Sequence, residues 1–220
     1  MEEQPMAATS KILAVGIMVF SFIIGLITFY MMSDLSKKEK KEQVEEIISQ
    51  LINFVIFIWI GKIILNISIF IEDPLAILAY PSDSRAFYFS VLLSGFVLFY
   101  KYKKKQMDIV TFIHSFIHVF LVASFLYEFI QFVWNDNAFS FGNMVVIVIL
   151  MVIFLFMQGY VSNYMAFFTI LVLWSIGMFL LSLIQPYITV FGYMIDVWFV
   201  GVFLLINVII IYLNNRKRDV

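Results

Sequence analysis

Cysteine is absent from all 220 residues. That absence removes disulfides, thiolate metal sites, thiol nucleophiles and dithiol redox relays, and with them the cysteine-dependent electron-carrying membrane families. Charge is also scarce: Asp, Glu, Lys and Arg make up 13% of the chain, where soluble domains carry about a quarter. There are two histidines, and no glycine-rich phosphate loop, internal repeat or low-complexity linker interrupts the sequence. The net charge of −1 says little about partners, because here the position of each charge matters more than their sum.

What fills the space is apolar. Hydrophobic residues are 63% and aromatic residues 19% of the chain, with 26 Phe, and the mean hydropathy is +1.00. A helix needs about 20 apolar residues to cross ~30 Å of hydrocarbon. Seven stretches reach or approach that length: residues 12–32, 47–70, 86–100, 109–134, 144–161, 166–185 and 190–213. The third is short and extends through Tyr102 if its lysines reach back toward the headgroups. The last two are parted only by a turn around Gln185, Pro186 and Tyr187. Glu2 and Glu3 precede the first stretch where a signal peptide carries basic residues, and the stretch is too long for a signal core. It is expected to be a first transmembrane helix that stays.

Basic residues set the expected orientation. Lys37, Lys38, Lys40 and Lys41 follow the first stretch; Lys101, Lys103, Lys104 and Lys105 follow the third; Arg216, Lys217 and Arg218 follow the seventh. The other loops hold only Arg85, with Lys11 at a membrane boundary. Short loops rich in Lys and Arg stay in the cytoplasm. The expected fold is therefore all-α: one polytopic membrane domain over residues 1–220, seven transmembrane helices, N-terminus out and C-terminus in. Acidic residues through Glu46 are mixed with the lysines at 37–41, so the run reads as a topology signal, and no nucleic-acid partner is expected. Lysine outnumbers arginine eleven to three, which suggests an AT-rich bacterial genome and hence a bacterial plasma membrane.

Charges inside hydrocarbon are costly and mark sites. Lys62, Glu128 and Asp196 fall within the second, fourth and seventh stretches. Counting ~1.5 Å per residue places all three roughly 9–14 Å below the outer surface. One cation and two acids at matched depth either pair to fix helix packing or bind a polar headgroup. His114 and His118, at i and i+4, share a helix face as two metal ligands would. Zinc wants three or four ligands and the chain has no other histidine, so polar contacts between helices are the commoner use. Ser90, Ser94, Ser115, Ser124, Ser175 and Ser182 read as helix-packing residues. Trp134, Tyr187 and Trp198 fit an outer aromatic belt, while Trp59 and Trp174 lie nearer mid-span. In the loop at 71–85, Asp73 and Pro74 suggest a helix cap and first-turn proline. A short surface helix is expected over residues 75–80, ended by Pro81.

Several segments carry a resemblance. Gly61-Lys62 resembles a Gly-Ala-Arg segment, Pro74-Leu75 a Pro-Leu on an outer loop, and residues 96–100 with their lysines, followed by 107–117, a basic loop leading into a fourth span. Together with the seven-stretch layout they are similar to the bacterial prolipoprotein diacylglyceryl transferases. The resemblance implies a seven-span, N-out scaffold that moves diacylglycerol from phosphatidylglycerol onto a lipoprotein cysteine. Phe87-Tyr88-Phe89-Ser90 stands where that family has His-Gly-Gly, and Ser124-Phe125-Leu126-Tyr127-Glu128 where it has Gly-Arg-x-Gly-Asn. The family's later arginine has no counterpart, so no catalytic residue is carried over. Scaffold without site does not carry the activity.

The functional expectation is thus a non-catalytic or re-purposed relative that binds a membrane lipid, or a lipidated or lipoprotein partner, from the outer leaflet. Lys62, Glu128 and Asp196 would line the cavity with Arg85 near its mouth, and no cofactor or metal is expected. The alternatives are a small-solute transporter or channel, and an accessory subunit of a membrane complex. Neither inverted repeats nor paired broken helices favour transport.

Overall fold

The computed structural model describes residues 3–79 and 83–218. Among these residues the chain is helical apart from one small hairpin, in the order α1 Glu3–Met32, α2 Lys37–Leu65, α3 Ile67–Glu72, α4 Ala76–Ala79, α5 Ser84–Lys103, α6 Ile109–Trp134, α7 Ala138–Met157, α8 Asn163–Ser182, β1 Ile188–Val190, β2 Tyr193–Ile195 and α9 Val197–Arg218. The helices are rich in Ile, Val and Phe, which rank low in intrinsic helix propensity because their χ1 freedom is lost against the preceding turn. In hydrocarbon that preference is overridden. A helix is one of the two ways of satisfying every peptide group without water.

Five helices, α1, α2, α6, α7 and α8, are long and apolar enough to cross a membrane by length and composition, and they point to a multi-pass membrane protein. The apolar part of α9 is shorter. Their outward faces carry large side chains: Ile27 of α1, Val55 of α2, Ile149 of α7, Phe179 of α8 and Leu205 of α9 are each about half exposed. A water-soluble monomer rarely leaves such continuous apolar patches bare; lipid-facing helices do.

The chain divides into two compact units. Unit 1 comprises residues 1–34 and 113–220, hence α1, nearly all of α6, α7 to α9 and the hairpin. Its core joins Ile117 and Leu121 of α6 to Ile147, Leu150 and Phe154 of α7 and Ile170 of α8. Phe29 of α1 meets the edge of His118 on α6, and Trp174 of α8 meets Phe203 of α9. Ser21 and Ser175 donate to carbonyls four residues back, at 2.8 Å each. They are packing residues that bond their own helix.

Unit 2 comprises residues 35–112 and is built on the packing of α2 against α5. The Ser36 hydroxyl accepts from the Glu39 N–H while the Glu39 carboxylate accepts from the Ser36 N–H, a reciprocal cap that starts α2. Phe54 packs edge-on to Phe87. Glu46 of α2 accepts both from the Lys101 ammonium of α5 and from Gln50. This contact puts the start of α2 beside the end of α5. The lysine clusters at 37–41 and 101–105 therefore lie at the same end of the α2/α5 pair.

Most helix bounds differ from the sequence reading, and in three stretches the difference bears on the candidate site residues. The stretch at 47–70 is not one helix: α2 begins ten residues earlier, stops at Leu65, and Asn66 separates it from α3. The Asn66 side chain donates to the Lys62 carbonyl at 2.9 Å, taking the place of an amide from the next turn. The fifth stretch begins at Ala138, where Asn137 caps α7 through the Phe139 N–H. The stretch at 190–213 opens with a hairpin and becomes helical only at Val197. In the 71–85 loop the Asp73 carboxylate accepts from the N–H groups of Leu75 and Ala76 ahead of the single turn of α4. Tyr80 and Pro81, the expected end of that element, lie outside the described residues.

The Glu46–Lys101 pair is about one-quarter exposed on both sides, so screening is incomplete. Lys101→Met should lower stability by about 1–2 kcal/mol, because it leaves a half-buried carboxylate with only Gln50 as donor. Adding Glu46→Gln should return part of that loss. Thermal unfolding of the four proteins of the double-mutant cycle in detergent measures the coupling, and strict additivity would show that the contact does not hold α2 to α5.

Candidate functional site: a capped polar cavity in unit 1

The hairpin begins with the register Ile188↔Ile195, Thr189↔Met194, Val190↔Tyr193, leaving Phe191 and Gly192 as a two-residue turn. Both have positive φ, +48° and +81°, the combination that lets a tight turn follow the strand twist. Asparagine or glycine usually occupies the first of these positions; a phenylalanine there is strained. Its ring accounts for its presence. Phe191 stacks on Phe22 of α1 at 4.8 Å and meets Phe120 and Tyr127 of α6 at 5.6 and 5.4 Å. A side chain added at Gly192 would lie 2.7 Å from the Tyr127 hydroxyl. The turn is plugged into an aromatic seat between α1 and α6.

Beneath the hairpin is a cavity lined by Ser124, Glu128, Asn143 and Thr189 among aromatic and aliphatic side chains, including Trp174 and Phe191. The space open to the centre of a water molecule is about 20 Å³, enough for about one water. Glu128 and Asn143 are each 3% exposed. The Asn143 amide nitrogen donates to Glu128 Oε1 at 3.3 Å and to Thr189 Oγ1 at 3.3 Å, linking α7 to α6 and to β1. Ser140, fully buried one turn earlier on α7, lies against the same carboxyl. Glu128 Oε2 and Asn143 Oδ1 are left without a hydrogen-bond partner. No Lys, Arg or His lines the cavity.

The three residues singled out by depth along the sequence, and Arg85 near the expected mouth, are distributed between the units. Glu128 belongs to unit 1, at the centre of the cavity. Asp196 is also in unit 1, but it is exposed and lies ahead of α9 rather than about six residues inside a helix. Its backbone carbonyl accepts from Phe199 and Val200, and its carboxylate accepts from the Trp198 indole N–H at 3.2 Å. It starts α9, and the helical count behind its expected depth does not apply, because the hairpin takes up residues read as helix.

Lys62 and Arg85 belong to unit 2. Lys62 is 5% exposed, three residues from the end of Lys37–Leu65 rather than deep within a longer helix, with its ammonium 4.7 Å from the centre of the Trp59 ring. The neighbouring Gly61 faces α5 so closely that a Cβ would meet Phe89 at 2.9 Å and Ala86 at 3.4 Å. Arg85 is exposed, 3.8 Å from Asp83. Both cations thus lie at the end of the α2/α5 pair opposite the lysine clusters.

His114 and His118 pack on aromatic rings, with Phe154 shared between them at 5.1 and 6.4 Å, and His118 Nε2 has no hydrogen-bond partner. Among the described residues no three His, Cys, Asp or Glu side chains converge on a metal position. Ser124 is the one serine of the sequence reading that lines the Glu128 cavity. Asn143, Ser140 and Thr189 were missed. Asn143 sits just before the hydropathy onset at 144, and Thr189 in what read as a turn. A helix start assigned by the Asn137 cap would have brought Asn143 inside.

Compared with known proteins, the chain matches no family model, no curated protein and no solved structure.

Phe191→Ala should unseat the hairpin. Losing three ring contacts at a half-buried position costs about 2 kcal/mol, and the amides of residues 188–195 should exchange with solvent markedly faster. Unchanged exchange in that segment would mean that the ring does not hold the hairpin down.

Proposed function

We propose that this chain is a bacterial plasma-membrane protein of seven crossings, N-terminus out and C-terminus in, that binds a lipid or a lipidated partner from the outer leaflet and performs no catalysis itself. The scaffold is read as resembling that of the prolipoprotein diacylglyceryl transferases, with the chemistry gone.

The observation that carries this reading is the polarity of the α2/α5 pair. One end holds two lysine clusters, and the other holds a buried Lys62 with Arg85. Lysine clusters beside short loops favour the cytoplasm, which assigns the Lys62 end to the outer leaflet. An ammonium and a guanidinium at that end form a cationic patch, and cations of this kind attract a headgroup phosphate. A phospholipid phosphate has the opposite charge and arrives at that depth. The acids Glu128 and Asp196 belong to the other unit, and Glu128 has its own cavity, so the lipid reading rests on Lys62 and Arg85.

Two measurements test it. A fluorescent reporter that matures only in the cytoplasm should be bright when fused after the last residue and dark when fused before the first; the reverse pattern removes the outer-leaflet assignment. Lipid mass spectrometry of detergent-purified protein should show anionic phospholipid retained by wild type. Lys62→Met should retain at least about tenfold less, because truncating one partner of a buried charge pair costs about 2–5 kcal/mol. Equal lipid content in the two proteins would discard the reading.

A further inference from the structure

The Glu128 cavity has no part in the lipid reading, yet it is the most completely built polar site in unit 1. Three features define what it would take. The first is an acceptor surplus: Glu128 Oε2 and Asn143 Oδ1 receive no hydrogen bond, on side chains 97% buried that line a water-sized space, although the Ser140 hydroxyl lies against the same carboxyl. Two buried acceptors without donors are costly, and the cost is larger for a carboxylate.

The second feature is charge. No residue from 106 to 215 is Lys or Arg, so helices α6, α7 and α8, the hairpin and α9 as far as residue 215 bring no fixed cation to Glu128. The third is donor chemistry. The polar groups present are oxygens (carboxylate, amide and hydroxyl), which suit hard cations, and the walls include the aromatic residues Phe120, Tyr127, Trp174 and Phe191, whose ring faces attract cations. One carboxylate balances one positive charge, and space for one water excludes a lipid headgroup.

We propose that this cavity binds one small monovalent cation, with Glu128 Oε2, Asn143 Oδ1 and Thr189 Oγ1 as ligands, and that the ion ties the hairpin to α6 and α7. Thr189 belongs to β1, Glu128 to α6 and Asn143 to α7, so a single ion would draw three elements together at the point where Phe191 plugs the seat. The hairpin then closes over an occupied site and is released when it empties.

The test uses the full chain in detergent, with sodium chloride or potassium chloride titrated against choline chloride at constant ionic strength. Wild type should show a melting temperature that rises with Na+ or K+ and saturates as a single site does, together with slower amide exchange over residues 188–195. Selectivity for either ion, or none between them, equally supports the site. Glu128→Gln should abolish the response. Thr189→Val, which keeps the volume and removes one oxygen, should raise the apparent dissociation constant about tenfold, equivalent to about 1.4 kcal/mol; it carries the test if Glu128→Gln fails to fold. Lys62→Met should keep the ion response whatever happens to its lipid, so the two readings fail separately. The proposal is overturned if choline serves as well as Na+ and K+, if Glu128→Gln or Thr189→Val responds like wild type, or if the ion leaves hairpin exchange unchanged. A protonated Glu128 beside a trapped water would give those results.

Discussion

Peptide groups that leave a helix need other partners, and in this chain the departures from plain helix are met by side chains or by a paired strand. Where α2 stops at Leu65, the Asn66 amide supplies a donor to the Lys62 carbonyl. Where α3 gives way to α4, the Asp73 carboxylate receives the N–H groups of Leu75 and Ala76, the second of which also donates to the Asp73 carbonyl. The hairpin between α8 and α9 pairs its strands with each other. The Gln185 side chain then donates to the Phe139 carbonyl at the start of α7, securing the approach to the strands. Each break therefore comes with a polar side chain in place.

The same constraint explains what the sequence revealed and what it hid. Hydropathy locates the apolar segments well, because lipid contact demands length and composition; residues 109–134 coincide with α6 to the residue. It locates helix ends poorly. Side-chain caps and charged first turns decide those, as when Ser36 and Glu39 start α2 among lysines well before the apolar run begins. It also cannot separate a helix from a short strand pair where both are apolar. Val190 and Ile195 read as the onset of a seventh helix, and the usual Asn-Gly or Asp-Gly turn mark is missing because Phe191 holds its strained conformation through ring contacts with α1 and α6.

The site was half visible for related reasons. Glu128 declared itself as a charge in an apolar run, and Lys62 did the same. The partners of Glu128 are neutral, and neutral polar residues near a helix boundary look like ordinary loop chemistry: Asn143 and Ser140 sit in the first two turns of α7, and Thr189 in a three-residue strand. Matching depths by counting along helices put Asp196 beside Glu128, but the count assumed uninterrupted helix through the hairpin. Depth arithmetic is only as good as the helix it runs along.

The choice of Asn143 opposite Glu128 carries its own logic. A lysine there would neutralise the carboxylate internally and make the cluster a packing device, complete without any visitor. An asparagine orients the carboxyl through one donated hydrogen bond and binds Thr189 with the other, yet leaves the formal charge uncancelled and adds an acceptor. A buried carboxylate positioned but not neutralised is expensive for folding alone. It is favourable only if a proton or an ion completes it, and the empty stretch of sequence between Lys105 and Arg216, without one lysine or arginine, keeps that role open for something from outside the chain.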